Sequence, residues 1–496
     1  MTIHLNVLGA AEAAPVEFDQ ERAPPAIDVY HRSTLVAANF SKMAIGVKRE
    51  AGFLAAVTQD QDLALAGDER SFLIASIVVP ARQGLTTVFS PSLDSIKRAK
   101  KTLEGFGLRV ASFELAPSKI EKRRVWEKLD ACEIDVLLVS PGRLASIRFR
   151  ERLSRRDINH VSFLNAHLLS PWSHRFNPSY RQICGFVKTL QYSVCSVHIW
   201  SVDKNLHQDV HRTIGLREPF CDSIVSREIV TPTVTGVDVK ADDQRLEVMS
   251  DFAADLSGQG VFYVGSVKQL FDTKIWLESL GESPGIIKPG LDEFSVQKIR
   301  SSFEQGTIRL VVSQSPFLST LEKAPGLQFV VFNGLPDSVE YLGQETFAHE
   351  TAASLSCLCL SSENDFFHHR FAIDKSYPDS LTLRACFQGV KDFIGRCQFA
   401  PPDALLSHIK VATPFSELDI KTCVDAMQRE GLIEIISDPI TEKVSYKLSA
   451  DGLAEVNFWH EYPLRKLEQI HRLERTRSFL TSPGDLGKQL REKLNV

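Results

Sequence analysis

GLTTVFSP (84–91), RVASFEL (109–115), IDVLLVSP (134–141) and HVSFLNA (160–166) are four short apolar runs, rich in Val, Leu and Phe and bounded by polar or turn-forming residues. Longer amphipathic stretches separate them, such as Leu93 to Phe106 with its helical spacing and several lysines. Apolar runs of this length predict strands, and the stretches between them predict crossover helices. Strands alternating with helices predict a parallel sheet covered on both faces. YSVCSVHIWSV (192–202) continues the series. After more polar residues near 221–245, the alternation restarts with GVFYVGS (260–266) and a helix through Glu278. IRLVVSQS (308–315) and LQFVVFNGLP (327–336) follow. Two such units in tandem predict an α/β protein of two similar lobes with a cleft between them.

A chain of 496 residues is too long for one core and predicts roughly three domains. Its 43% hydrophobic and 24% charged residues are ordinary for a soluble globular protein. The net charge of −5 gives no global footprint for nucleic acid, so any polyanion site must be a local patch. Nine cysteines are scattered without a C-x-x-C pair, which argues against structural zinc and for reduced, buried thiols. Cys357 and Cys359 share an apolar run that reads as a strand. The first residues, MTIHLNVLGAAEAAPVEFDQERAPP, have early acids and do not read as a signal peptide. No apolar run approaches a membrane span. A cytoplasmic location is expected, with the nucleoid if DNA is bound. Residues 1–30 are expected to form a loose arm, 31–220 a first lobe and 221–385 a second. Beyond 386, helices near 402–410, 416–430 and 450–478 flank LIEIISD and KVSYKLS. Helices with a small β-ribbon predict a winged-helix module over 386–460, followed by a basic helical tail over 461–496.

Three motifs point to a family. VSPGRL (139–144), LNAHLLSPWSHRFNPSY (164–180) and GQETFAHE (343–350) resemble, in order and spacing, markers of RecQ-type DNA helicases. The resemblance covers roughly residues 40–385. It implies two RecA-like lobes, DNA as partner, and ATP with Mg²⁺ as the fuel of 3′–5′ unwinding.

The departures from that pattern concern the ATP chemistry. The family's phosphate loop matches Ala66-Gly67-Asp68-Glu69-Arg70-Ser71. Gly67 and Ser71 fit, Arg70 stands for Lys, and Asp68 and Glu69 bring carboxylates into a cradle for a polyanion. Like charges at ~4 Å cost about 4 kcal/mol at an effective dielectric of ~20. The family's Asp-Glu-Ala-His reads Leu164-Asn165-Ala166-His167 here. Leu cannot ligate a hard cation, and Asn cannot take a proton as a carboxylate does. Gln344-Glu345-Thr346 survive, but Phe347-Ala348-His349-Glu350-Thr351 follow where the family carries arginines worth about 10³–10⁵ in rate. The segment that couples the lobes is replaced by His198-Ile199-Trp200-Ser201. The expected site is therefore a vestigial nucleotide cleft of Gly67, Arg70, Ser71, Asn165, His167 and Gln344, with no catalytic residue, cofactor or metal.

What is kept bears on nucleic acid. RecQ helicases carry an aromatic-rich loop that senses single-stranded DNA, and Trp172, His174, Arg175, Phe176 and Tyr180 match it. Aromatic faces stack on bases at roughly 1–3 kcal/mol each; packing of the loop onto the first lobe is the alternative. Lys97, Arg98, Lys100 and Lys101 form one basic helix, and Arg148, Arg150, Arg152, Arg155 and Arg156 crowd another. Such runs are usually solvated faces, with phosphate contact as the functional alternative. Residues 404–436 read as a helix-turn-helix whose second helix carries Lys421 and Arg429, for DNA or for a protein partner. The favoured expectation is a RecQ-like pseudo-helicase that binds single-stranded or branched DNA, or scaffolds a repair, recombination or defence complex. The alternatives are a divergent active 3′–5′ helicase and a protein-docking module without nucleic acid.

Overall fold

Alternation of buried side chains along each apolar run is what makes it a strand with two covered faces. In Val136–Val139, Val136 and Leu138 enter one core while Leu137 and Val139 enter another. Each fully buried aliphatic chain contributes roughly 1.5–3 kcal/mol. The computed structural model describes residues 45–47 and 50–494, apart from short stretches at 117, 145, 171, 174–176, 201–203, 227–230, 241, 254–256, 322–323, 325, 348–354, 397–398, 401–403, 430–431, 438–443 and 449–451.

The first lobe is an eight-stranded sheet of β1 (Ile45–Val47), β2 (Leu63–Ala66), β3 (Leu85–Phe89), β4 (Val110–Ser112), β5 (Val136–Val139), β6 (Ile158–Phe163), β7 (Val194–Ile199) and β8 (Phe220–Ser226). Its order is β1-β8-β2-β7-β6-β3-β5-β4, parallel except for the β1–β8 pair. The second is a six-stranded parallel sheet of β9 (Thr233–Asp238), β10 (Gln259–Val264), β11 (Gly285–Ile287), β12 (Leu310–Ser313), β13 (Leu327–Asn333) and β14 (Ser356–Ser361), ordered β11-β12-β10-β13-β14-β9. Cys357 and Cys359 are buried, free thiols on β14, as expected.

Three expected boundaries shift. The break at 220/221 falls beside the first residue of β8, which pairs with β2, so the first lobe runs to Ser226. The break at 385/386 falls inside the helix Ser380–Ile394. That helix, with Ala404–Ala412, Glu417–Arg429 and an antiparallel sheet of β15 (Phe399–Ala400), β16 (Ile433–Ser437) and β17 (Val444–Leu448), encloses a separate core around Phe387, Ile409, Cys423 and Met427. The break at 460/461 falls inside a 29-residue helix, Gly452–Leu480.

That helix is not a free basic tail. At ~1.5 Å per residue it is about 43 Å long, and it joins all three units. Phe458 and Tyr462 sit in the C-terminal core. Glu461 meets Arg212 of the first lobe at 3.3 Å, and Arg472 donates to the carbonyl of Trp172. Leu473, Phe479 and Leu480, with Leu486, Leu490 and Leu494 of the helix Leu486–Leu494, enter the core of the second lobe. The approach is close: a Cβ on Gly236 of β9 would lie 2.2 Å from the Leu480 carbonyl oxygen. Gly236→Ala is therefore expected to destabilise the second lobe by about 1–3 kcal/mol through forced backbone displacement, read as a lower urea midpoint. Among the described residues no helix is long and apolar enough to cross a membrane.

Candidate functional site: the interlobe cleft

The chain leaves β2 through only Gly67 and Asp68 before the helix Glu69–Ser76 begins. Gly67 has φ +142, and an added Cβ would lie 2.1 Å from the Ile224 carbonyl oxygen, so only glycine fits the crossing. Asp68 is the N-cap, its carboxylate accepting from the Ser71 amide at 2.8 Å. The helix terminus, a natural anion site, is thus answered by a carboxylate of the chain itself. Glu69 is held as well. One of its oxygens accepts from Ser95 Oγ at 2.9 Å and from Asn165 Nδ2 at 3.0 Å, and Arg98 lies 3.4 Å away. Both acids, expected to repel a polyanion, are held by donors of the chain itself, and Asn165 is one of those that hold Glu69. Arg70 is exposed on the same helix.

Leu164 is fully buried in the first lobe. Asn165 follows in the left-handed conformation, φ 52 and ψ 43, which Asn tolerates. Its amide donates to His198 Nδ1 at 3.2 Å, and His198 Nε2 lies 2.7 Å from the Gly67 carbonyl. An accepting Nδ1 and a donating Nε2 define a neutral imidazole, and burial holds its pKa below the usual value. His198 thereby ties Gly67 to Asn165 across the sheet.

His167 reaches the other lobe. Its Nδ1 accepts from the Trp200 amide at 3.2 Å, and the Gln344 amide group lies 3.4 Å from its Nε2. The Trp200 ring, 8% exposed, packs in the core of the second lobe, and its indole N–H donates to the Glu340 carbonyl at 3.3 Å. A third contact, Arg300 to Asp94 at 2.8 Å, pairs two mostly buried side chains. No local pattern marks that pair, whose partners lie far apart in sequence. Gly67 and Asn165 thus meet through His198, while Gln344 meets His167, which also holds the Trp200 amide. Phe347 is buried, and 348–351 lie outside the described residues.

Of the aromatic loop, His174, Arg175 and Phe176 lie outside the described residues. Tyr180 corrects the expectation of base contact. It is fully buried, its hydroxyl 2.6 Å from the Leu164 carbonyl and 3.0 Å from that of Phe89, so it has no free face to stack on a base. Trp172 is half-buried against the first-lobe core. Lys421 is exposed on the helix Glu417–Arg429, beside exposed Glu417 and Asp425.

One buried group makes the first lobe sensitive to acid. His160 on β6 is fully buried, and burial pushes its pKa down to about 4. The unfolded chain therefore binds more protons between that value and ~6.5. The stability this neutral histidine permits is fully present above ~6.5 and is lost as pH falls toward 4. A loss of about 3 kcal/mol across that window is expected, and His160→Val removes it from urea midpoints measured against pH.

The fold is that of two parallel-sheet α/β lobes that resemble the RecA-like lobes of helicases. No family model matches the chain. In sequence it is a distant relative of RecQ-type DNA helicases. It is 24% identical over 265 residues to the ATP-dependent DNA helicase RecQ of Pasteurella multocida, covering 53% of this chain and 41% of that one. It is 24% identical over 300 residues to that of Bacillus subtilis, covering 59% and 49%. The matches thus span less than half the length of these relatives. In structure it resembles Saccharomyces cerevisiae Dbp5 in a complex with Gle1 and IP6, with a TM-score of 0.50, 12% identity, and coverage of 67% of this chain and 87% of that one. It also matches Mycobacterium smegmatis helicase Lhr bound to ssDNA and AMP-PNP, with a TM-score of 0.48, 14% identity, and coverage of 83% and 60%.

Proposed function

We propose that this chain is a RecQ-like pseudo-helicase, which engages single-stranded or branched DNA within a DNA-processing complex and does not hydrolyse ATP. One observation carries the reading: the Asp68 carboxylate, 2.8 Å from the Ser71 amide, stands at the helix terminus that a nucleotide's phosphates would need. The residues present do not fit Mg²⁺-ATP. The Asp68 carboxylate brings negative charge to the helix terminus where phosphates would sit, and buried Leu164 offers no oxygen to a hard cation. Trp200 and the Arg300–Asp94 pair join the two lobes directly.

Trp172 remains the candidate base contact of the aromatic loop. The order helix, strand, two helices, two strands in the C-terminal unit supports a winged-helix reading, with Lys421 and Arg429 on its second adjacent helix. A second reading of that unit, protein docking, is favoured by Leu381, Val411 and Leu418, which are 80%, 91% and 71% exposed.

Purified protein with Mg²⁺-ATP and forked DNA is expected to release no phosphate above the buffer rate, while binding the DNA in a salt-sensitive manner. DNA-stimulated turnover on the seconds timescale that disappears in Arg70→Ala would mean an active, divergent helicase.

A further inference from the structure

We infer that the first lobe carries a second nucleic-acid contact, away from the cleft, in which the helices Lys119–Asp130 and Ile147–Leu153 bind the phosphate backbone of duplex DNA. The inference rests on the proposed DNA engagement and adds to it where the duplex lies.

The two helices form one surface. Trp126 of the first lies 5.4 Å from Phe149 of the second, centroid to centroid, and the Arg152 guanidinium sits 4.2 Å over the Trp126 ring. Asp130 pairs with Arg152 at 2.8 Å and also with Arg156, so the basic segments are locked side by side. Residues 119–130 and 147–156 hold ten Lys and Arg against four Asp and Glu, an excess of six positive charges in a chain whose net charge is −5. The remainder of the protein is therefore distinctly acidic. A polyanion is repelled from most of its surface and attracted here.

Several of these cations are uncommitted. Arg124, Lys128, Arg148 and Arg155 are exposed, and among the described residues they hold no ion pair. The 12-residue helix Lys119–Asp130 is about 18 Å long, a length over which duplex DNA presents about ten charges, one per ~1.7 Å.

The choice of duplex over single strand follows from the aromatics. Single-strand platforms combine cations with open ring faces. Here Phe149 is buried, and Trp126 is stacked among Phe113, Phe149 and Arg152. The surface offers charge without a stacking face, which suits phosphates and not bases.

The test is fluorescence anisotropy of the full chain with a labelled duplex and with oligo(dT), across about 0.05–0.2 M salt. Wild type is compared with Arg124→Ala/Lys128→Ala/Arg148→Ala/Arg155→Ala. The variant is expected to bind duplex at least about tenfold more weakly, with the log K against log salt slope reduced by about 3, and to keep its oligo(dT) affinity. If the quadruple variant melts early, Arg124→Glu/Arg155→Glu replaces it with the same expectation. Wild type that binds duplex with an unchanged slope in the variant overturns this surface but leaves DNA engagement standing. Wild type that binds neither DNA overturns both. Patch-dependent binding of polyglutamate without duplex binding assigns the surface to an acidic protein and overturns the inference.

Discussion

Replacing Glu345 with alanine is expected to cost about 3–5 kcal/mol, enough to unfold the second lobe under mild urea. Glu345 is 1% exposed. Its Oε2 accepts from the amides of Leu318 at 2.8 Å and Phe317 at 3.1 Å and from the Tyr263 hydroxyl, and its Oε1 accepts from Ser319 Oγ at 2.5 Å. The carboxylate thus caps the short turn Leu318–Thr320 from inside the protein. Alanine would strand several buried donors at once, and hydrogen bonds to a charged group are worth roughly 1.5–3 kcal/mol each. Glu345→Gln keeps the volume and one acceptor, so it should fall between. A urea midpoint unchanged in the alanine variant would mean that water replaces the carboxylate without loss. The residue belongs to a helicase-like Gln-Glu-Thr motif, yet its partners here are structural.

The second large effect is expected for Trp200→Ala, at about 3–5 kcal/mol. Trp200 extends from the end of β7 in the first lobe, but its ring fills the core of the second. Its removal should do two things: lower the unfolding midpoint, and separate the lobes, read as a larger radius of gyration in small-angle scattering. Trp200→Phe keeps most of the packing but loses the N–H to the Glu340 carbonyl, so it should be milder. An unchanged radius with a lowered midpoint would assign closure to Arg300–Asp94 and Gln344–His167 instead.

The two-lobed architecture was legible because period-2 burial leaves a strong mark where both faces of a sheet are covered. The Phe329–Phe332 run is apolar throughout, with Val330 and Phe332 on one side and Phe329 and Val331 on the other. Apart from the four-residue Leu63–Ala66, the strands not predicted from the sequence lack that mark. Ile45–Val47 and Gly285–Ile287 span three residues each, and Phe220–Ser226 and Thr233–Asp238 contain polar residues. The departures from the RecQ-like pattern were legible as residue types, but their physical state was not. Asp68 and Glu69 look destabilising in isolation, and only the fold supplies the Ser71 amide, Ser95 and Asn165. Tyr180 shows the opposite error. An aromatic in a polar loop resembles a stacking platform, but Asn177 caps the next helix and turns the ring inward. In the tail, charges dominate the composition, whereas Leu473, Phe479 and Leu490 decide where it docks.

The docking of residues 473–494 into the second lobe has a consequence for biogenesis. The strands of that lobe leave the ribosome well before the helices that complete their core. At about 5–20 residues per second, the more than one hundred residues between β14 and Leu473 take several seconds or more to emerge. During that interval the greasy face around Val234, Val330 and Cys357 is bare, and a nascent chain stalled before Leu473 would be a substrate for chaperones or proteases. Maturation of the second lobe is therefore timed by translation of the last helices, while the first lobe can close earlier.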